Sequence, residues 1–161
     1  MANKKSPSLK YKEVYQFPIA THTFIEKLCK GKTLHVCCGN SLIGDIRIDI
    51  EKQPNQDNKP GFILGDMFDL NKILKAHKIK TQSFDTIVCD PIWHLGYHVR
   101  HKLMFQLRDQ LKPGGILIFN CLWFPKIRTL ELNKMYVGLN SSAWRNVSLI
   151  GIYKKINYQL E

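Results

Sequence analysis

Residues 84–120 read FDTIVCDPIWHLGYHVRHKLMFQLRDQLKPGGILIFN. The opening FDTIVCD is an apolar, partly β-branched run closed by Asp90 and Pro91, and it reads as a buried strand rather than as the alternating strand of a half-solvated sheet. In HVRHKLMFQLRDQLK, Leu103, Leu107 and Leu111 recur at helical spacing, and the pair Pro113-Gly114 predicts where the helix stops. GILIFN then predicts a second buried strand. Two such strands joined through a helix are parallel neighbours in one sheet.

Working outward from that unit, TLHVCC (33–38), DIRIDI (45–50) and GFILG (61–65) predict three further strands bounded by Gly, Asn or Asp. Between the third and fourth strands, MFDLNKILKAHKIK predicts a helix capped by Asp69, with Leu70, Ile73, Leu74 and His77 on one face. THTFIEKLCK (21–30) predicts an earlier short amphipathic helix, capped by Thr21 or Thr23 and stopped by Gly31. RTLELNKMYVGL and NVSLIGIYKKI, joined by NSSAW, hold no helical stretch between them and predict an antiparallel hairpin. The fold class is therefore α/β: a three-layer, Rossmann-like, mostly parallel sheet with an antiparallel C-terminal hairpin. Ten positions from Gly39 to Asp49 leave too little room for a complete first crossover, whose helix is expected to be truncated or missing.

The 161 residues fit one domain, expected over 19–161, behind a basic and mobile arm at 1–18. With 44% hydrophobic and 23% charged residues, the chain is not of the disordered, collagen-like or coiled-coil type. No apolar run approaches the roughly 18 residues of a membrane span, so no membrane association is expected, and a cytoplasmic location is. Cys29, Cys37, Cys38, Cys89 and Cys121 are odd in number and lack a C-x-x-C spacing, which fits neither a disulfide framework nor a metal site. Cys37 and Cys38 read as small buried strand residues.

The net charge of +11 divides into +5 over residues 1–32, −1 over 33–93 and +7 over 94–161. A near-neutral middle between basic flanks suits a small-ligand pocket bordered by a surface for a polyanion, or else a solvated lysine surface. Tyr11, Tyr15 and Phe17, interleaved with Lys10 and Lys12, offer a stacking arm for single-stranded nucleic acid, with Tyr15 and Phe17 the ones more readily packed on the domain.

In open parallel sheets, ligands bind beyond the carboxyl ends of the strands, near the switch in strand order. Those ends are polar here: Cys38, Gly39, Asn40 and Ser41 after the first strand, Asp49 after the second, Gly65 and Asp66 after the third, Asp90, Pro91, Ile92 and Trp93 after the fourth. Singly, Gly39 is a tight turn and Asp49 and Asp66 are capping residues; it is their order that is informative. In that order, over residues 20–155, the chain resembles the class I S-adenosylmethionine-dependent methyltransferases. VCCGNS stands at the family's first loop, GDMFDL looks like the adenine-binding segment, FDTIVCDPIW like the catalytic strand, and LKPGGILIF like the turn into the fifth strand.

The resemblance implies S-adenosyl-L-methionine as cofactor, held by Cys38, Gly39, Asn40, Ser41, Asp49, Asp66, Met67 and Asp90. Gly39 would admit the methionine part, Asp49 would accept from the ribose hydroxyls, and Asp66 from the adenine amino group while Met67 packs on its ring. A shortened crossover argues against a dinucleotide, whose pyrophosphate needs the helix N-terminus. Asp90-Pro91-Ile92-Trp93 is similar to the Asp-Pro-Pro-aromatic motif of methyltransferases acting on amino groups of adenine or cytosine. Asp90, the Pro91 carbonyl and Trp93 are the implied catalytic residues, the first two orienting an amine and the third stacking on its base. The implied acceptor is an exocyclic amino nitrogen in DNA or RNA. A non-catalytic nucleic-acid-binding or partner subunit of the same fold is the alternative, and a small-molecule or protein methyltransferase is a further one. His94, His98 and His101 line such a pocket, bind phosphate, or lie on the surface or a helix face, and Trp123, Phe124 and Pro125, beside Lys126 and Arg128, enclose a base or cover the sheet edge. With little room for a target-recognition domain, selectivity is modest or comes from a protein partner.

Overall fold

A computed structural model of the chain describes residues 17, 19–91, 97–121, 124–139 and 147–156. The elements run α1 (Ile19–Leu28), β1 (Thr33–Val36), β2 (Ile46–Asp49), β3 (Phe62–Leu64), α2 (Leu70–Ala76), β4 (Phe84–Cys89), α3 (Tyr97–Gln110), β5 (Leu111–Cys121), β6 (Leu130–Leu139) and β7 (Val147–Lys155), with single 3-10 turns at Pro54–Gln56 and Met67–Asp69. One seven-stranded sheet has the order β3-β2-β1-β4-β5-β7-β6. The first five are parallel, and β7 runs antiparallel between β5 and β6. This is the expected α/β sheet with its reversed C-terminal hairpin.

Successive residues of the apolar strands point to opposite faces, which is why both must be apolar. Ile87 and Leu117 face Leu70, Leu74, Leu103 and Leu107 of α2 and α3. Val88 and Ile118 face Ile25 of α1, together with Phe17, Ile150 and Ile152. Each fully buried Leu, Ile or Phe of these layers contributes about 1.5–3 kcal/mol relative to its exposed state. Residues 1–16 and 18 lie outside the described residues, so the expected arm is not described, although Phe17 is itself buried. No described helix is long and apolar enough to cross a membrane.

The connection from β1 to β2 contains no helix. Strands of only four residues explain how this works: the chain must return about 13 Å, and nine extended residues reach about twice that. Elsewhere the boundaries differ from those expected. α1 starts at Ile19, so Thr21 is a buried interior residue and neither threonine caps the helix. Gly31 does follow the helix at φ 60°, where a Cβ would collide with the Asp85 carboxylate.

The cap before α2 is Asp66, whose side chain accepts from Phe68 N; Asp69 makes no such bond. α2 ends at Ala76, which leaves His77 exposed beyond it rather than on its apolar face. β1 ends at Val36 because Cys37 turns left-handed at φ 58°, so Cys37 and Cys38 are turn residues, not strand residues. α3 stops at Gln110 and β5 starts at once, with Lys112 to Gly115 taken up as a bulge between the Phe84–Leu111 and Thr86–Ile116 pairs.

Candidate functional site

The strand order reverses between β1 and β4, whose carboxyl ends lie side by side. Neighbouring strands are about 4.8 Å apart, so the ends of β2, β1 and β4 span about 10 Å, the scale of a nucleoside. Asp49 closes β2 and turns its Oδ2 onto the backbone N of Gly39, which donates over 2.7 Å. Gly39 has φ 52°, a left-handed backbone that carries its amide toward the carboxylate. The other oxygen, Oδ1, receives only a long bond of 3.4 Å from Glu51 N. Asp49 thus has acceptor capacity left for hydroxyl groups.

At the end of β4, Asp90 N donates to Val36 O and holds the chain against β1. Asn120, on β5, donates its Nδ2 to Asp90 Oδ1 over 2.6 Å and is 93% buried. The Phe119–Cys89 register places the two side chains at the same level of the sheet. Asn120 was absent from the sequence reading; its signal was a polar residue ending the apolar run GILIFN beside β4. Pro91 is buried, whereas Ile92, Trp93 and His94 lie outside the described residues, as do Trp123 and the side chains of His98 and His101. Phe124, by contrast, is exposed beside Lys126 and Arg128.

Not every loop residue presents its side chain at this end. Cys38 is buried with its thiol near Gln56 Nε2, and desolvation pushes its pKa up to about 12. Ser41 is buried too, its Oγ bonded with His22 Nε2 and accepting from Ile43 N. Asn40 holds Asn55 through both its side chain and its carbonyl. These three side chains fix the loop. Asp66 is exposed at the end of β3, one oxygen already capping Phe68 N. Met67 is buried, with Cys37 Sγ donating to its sulfur over 3.2 Å. Contact with Cys89 and burial hold the Cys37 thiol well above its usual pKa, so it is neutral.

Beneath the loop lies a brace that the sequence reading missed. Arg47 is 94% buried in β2 and donates to Gln56 Oε1, Gly44 O and Pro60 O. Gln56, also buried, donates from Nε2 to the carbonyls of Gly39 and Ser41. The charged Arg within DIRIDI was the signal, since a buried guanidinium must be met by several acceptors.

Asp49, Asp66 and Asp90 make this end of the sheet rich in acceptors. That set of acceptors fits a ligand with hydroxyl, amino and cationic groups, and S-adenosylmethionine has all three. No protein-family model matches the sequence, and no curated protein matches it. Solved structures do align with the fold. The N-methyltransferase NodS from Bradyrhizobium japonicum aligns with a TM-score of 0.63 at 14% identity, covering 86% of this chain and 96% of its own. The 1,6-didemethyltoxoflavin-N1-methyltransferase of Burkholderia thailandensis, solved with S-adenosylhomocysteine bound, gives 0.63 at 8%, covering 86% and 78%. A TehB-like SAM-dependent methyltransferase from Corynebacterium glutamicum gives 0.57 at 15%, covering 83% and 86%. The chain therefore has the Rossmann-like fold of the S-adenosylmethionine-dependent methyltransferases with which it aligns.

Proposed function

We propose that the protein is an S-adenosylmethionine-dependent methyltransferase whose acceptor is an amino nitrogen, in particular an exocyclic amine of a nucleic-acid base. The observation that carries this reading is Asp90, fixed by Asn120 at the end of β4 and one strand away from the Gly39 loop. Asp49 and Gly39 bind the cofactor, Asp49 through ribose hydroxyls and Gly39 through backbone approach. Asp66 accepts from the adenine amino group. When bound, the sulfonium supplies the methyl group.

The remaining work is positioning. Asp90 and the Pro91 carbonyl accept the two N–H bonds of the amine and so aim its lone pair, and Asp90 receives the proton released once the new N–C bond forms. Two acceptors on a planar amine restrict its rotation, and alignment of this kind supplies a large part of such a barrier reduction. Nitrogen acceptors are also named for two of the aligned enzymes, NodS and the toxoflavin N1-methyltransferase. The basic flanks support a polyanionic substrate.

Calorimetric titration with S-adenosylhomocysteine, paired with methyl transfer to DNA, RNA and small amines, tests the proposal. Asp49→Ala is expected to weaken binding, and Asp90→Ala to keep binding while slowing transfer by at least about 100-fold. Transfer at the parent rate by Asp90→Ala removes Asp90 from the mechanism. Salt-dependent oligonucleotide binding by a folded protein with no affinity for the cofactor marks a non-catalytic subunit instead.

A further inference from the structure

At the opposite, amino-terminal end of the sheet, the structure opens a cleft of about 980 Å³ between the α2–β4 loop, the end of α3 and the starts and ends of the hairpin strands. β4 has six residues, which puts this cleft about 20 Å from Asp90. Its walls carry Lys75, Lys78, Lys80, Arg108 and Lys155 against a single carboxylate, Asp109. Two of the five cations are occupied: Arg108 pairs with Asp109, and Lys155 Nζ donates to the carbonyls of Arg108 and Leu111 at the end of α3. Lys75, Lys78 and Lys80 have no carboxylate partner among the described residues.

The end of α2 and the loop after it, which carry them, are built at a conformational cost. Lys78 N donates to Lys75 O and Ile79 N to Leu74 O, the paired bonds of a Schellman ending, and Lys78 occupies its left-handed position at φ 58°. Glycine is the residue that position favours, so the backbone alone gives no reason for a lysine. Gln82, four residues on, is left-handed as well at φ 54° and lines the same cleft.

We infer that this cleft is a second ligand site, separate from the methyl-transfer site, which binds a run of linked phosphate groups, with Lys75, Lys78 and Lys80 neutralising the charge. Lysine ammonium groups bind phosphate as point charges, and three of them without counter-ions suit two or more phosphates. A phosphate chain concentrates its charge more closely than the carboxylates of an acidic peptide, which suits ammonium groups carried on the single stretch 75–80. The phosphates come either from a free nucleotide or from a polynucleotide strand.

Inorganic triphosphate is the first probe, because it has no adenine to enter the other site. Titration at low salt is expected to show saturable binding that falls at least about tenfold in the Lys75→Gln, Lys78→Gly, Lys80→Gln variant and, for an oligonucleotide probe, a salt slope lower by about 2. Lys78→Gly alone is expected to weaken binding about threefold while melting no lower than the parent, since it relieves the left-handed lysine. Displacement of triphosphate by a twelve-nucleotide single strand assigns the site to a polynucleotide; binding without displacement assigns it to free nucleotides. The inference is overturned by absence of triphosphate binding, by unchanged affinity in both variants, or by equal affinity for a hexaglutamate peptide. None of these readouts depends on methyl transfer.

Discussion

His35 sits in the middle of β1, 1% exposed and stacked on Phe17 with ring centroids 6.3 Å apart. Neither ring nitrogen has a partner at full hydrogen-bonding geometry, and the backbone at Ile43 offsets only part of the penalty, so burial lowers the pKa from 6.5 to about 3. Between those values the unfolded chain binds a proton that the folded chain refuses. Stability from this residue is therefore complete above pH 6.5 and is lost as pH falls, at up to about 1.4 kcal/mol per unit, or about 2 kcal/mol by pH 5. Urea midpoints between pH 7 and 5 should show that slope, and His35→Leu should flatten it. At the same scale, Asn120→Ala should leave S-adenosylhomocysteine binding intact and slow transfer about tenfold or more by releasing Asp90, with Asn120→Asp no substitute because a carboxylate cannot donate. Asp49, Asp66 and Asp90 were legible in sequence because acids at strand ends stand where ligands bind. Asn120 and Gln56 were not, since each acts through a partner distant in sequence, 30 residues away for Asn120 and 17 for the Gln56 bond to Gly39.

Among the elements, the β1–β2 connection is the one whose construction departs most from a standard crossover. Its brevity was readable from the Gly39 to Asp49 interval, but its replacement was not, because a guanidinium that gathers Gly44, Pro60 and Gln56 leaves no periodic trace. Arg47→Met keeps the length and apolar stem while stranding those acceptors in the interior. It should cost about 2–4 kcal/mol in denaturant unfolding, and hydrogen exchange should quicken first in residues 37–45 rather than across β4 and β5. The strands and helices themselves followed from apolar runs and helical spacing, which report burial directly. Their ends followed less well. Cys37 turned out of β1 although cysteine is no turn former, and the Pro-Gly-Gly segment was absorbed as a bulge because β4 offered it a partner strand.

Across the whole molecule, the near-neutral segment 33–93 conceals a separation of charge. Asp49, Asp66 and Asp90 lie at the carboxyl ends of the strands, whereas Lys75, Lys78 and Lys80 lie at the other end, where Asp45 and Asp85 are already held by Thr33 N and by Lys32 N and Lys112. A segment sum near zero cannot show this, because sheet topology, not sequence distance, decides which charges are neighbours. The two ends are about 20 Å apart, or about two Debye lengths at 0.1 M salt. A unit charge at one end acts on a unit charge at the other with about 0.2 kcal/mol in unscreened water, and screening reduces that several-fold. Even the several charges of triphosphate should then change cofactor affinity by less than about twofold. Titrating S-adenosylhomocysteine with and without saturating triphosphate measures this directly. Agreement within twofold means two independent sites on one sheet. A change of tenfold would correspond to about 1.4 kcal/mol, more than charge alone supplies at this distance, and would have to be carried by movement of β4 or α3, which connect the two ends.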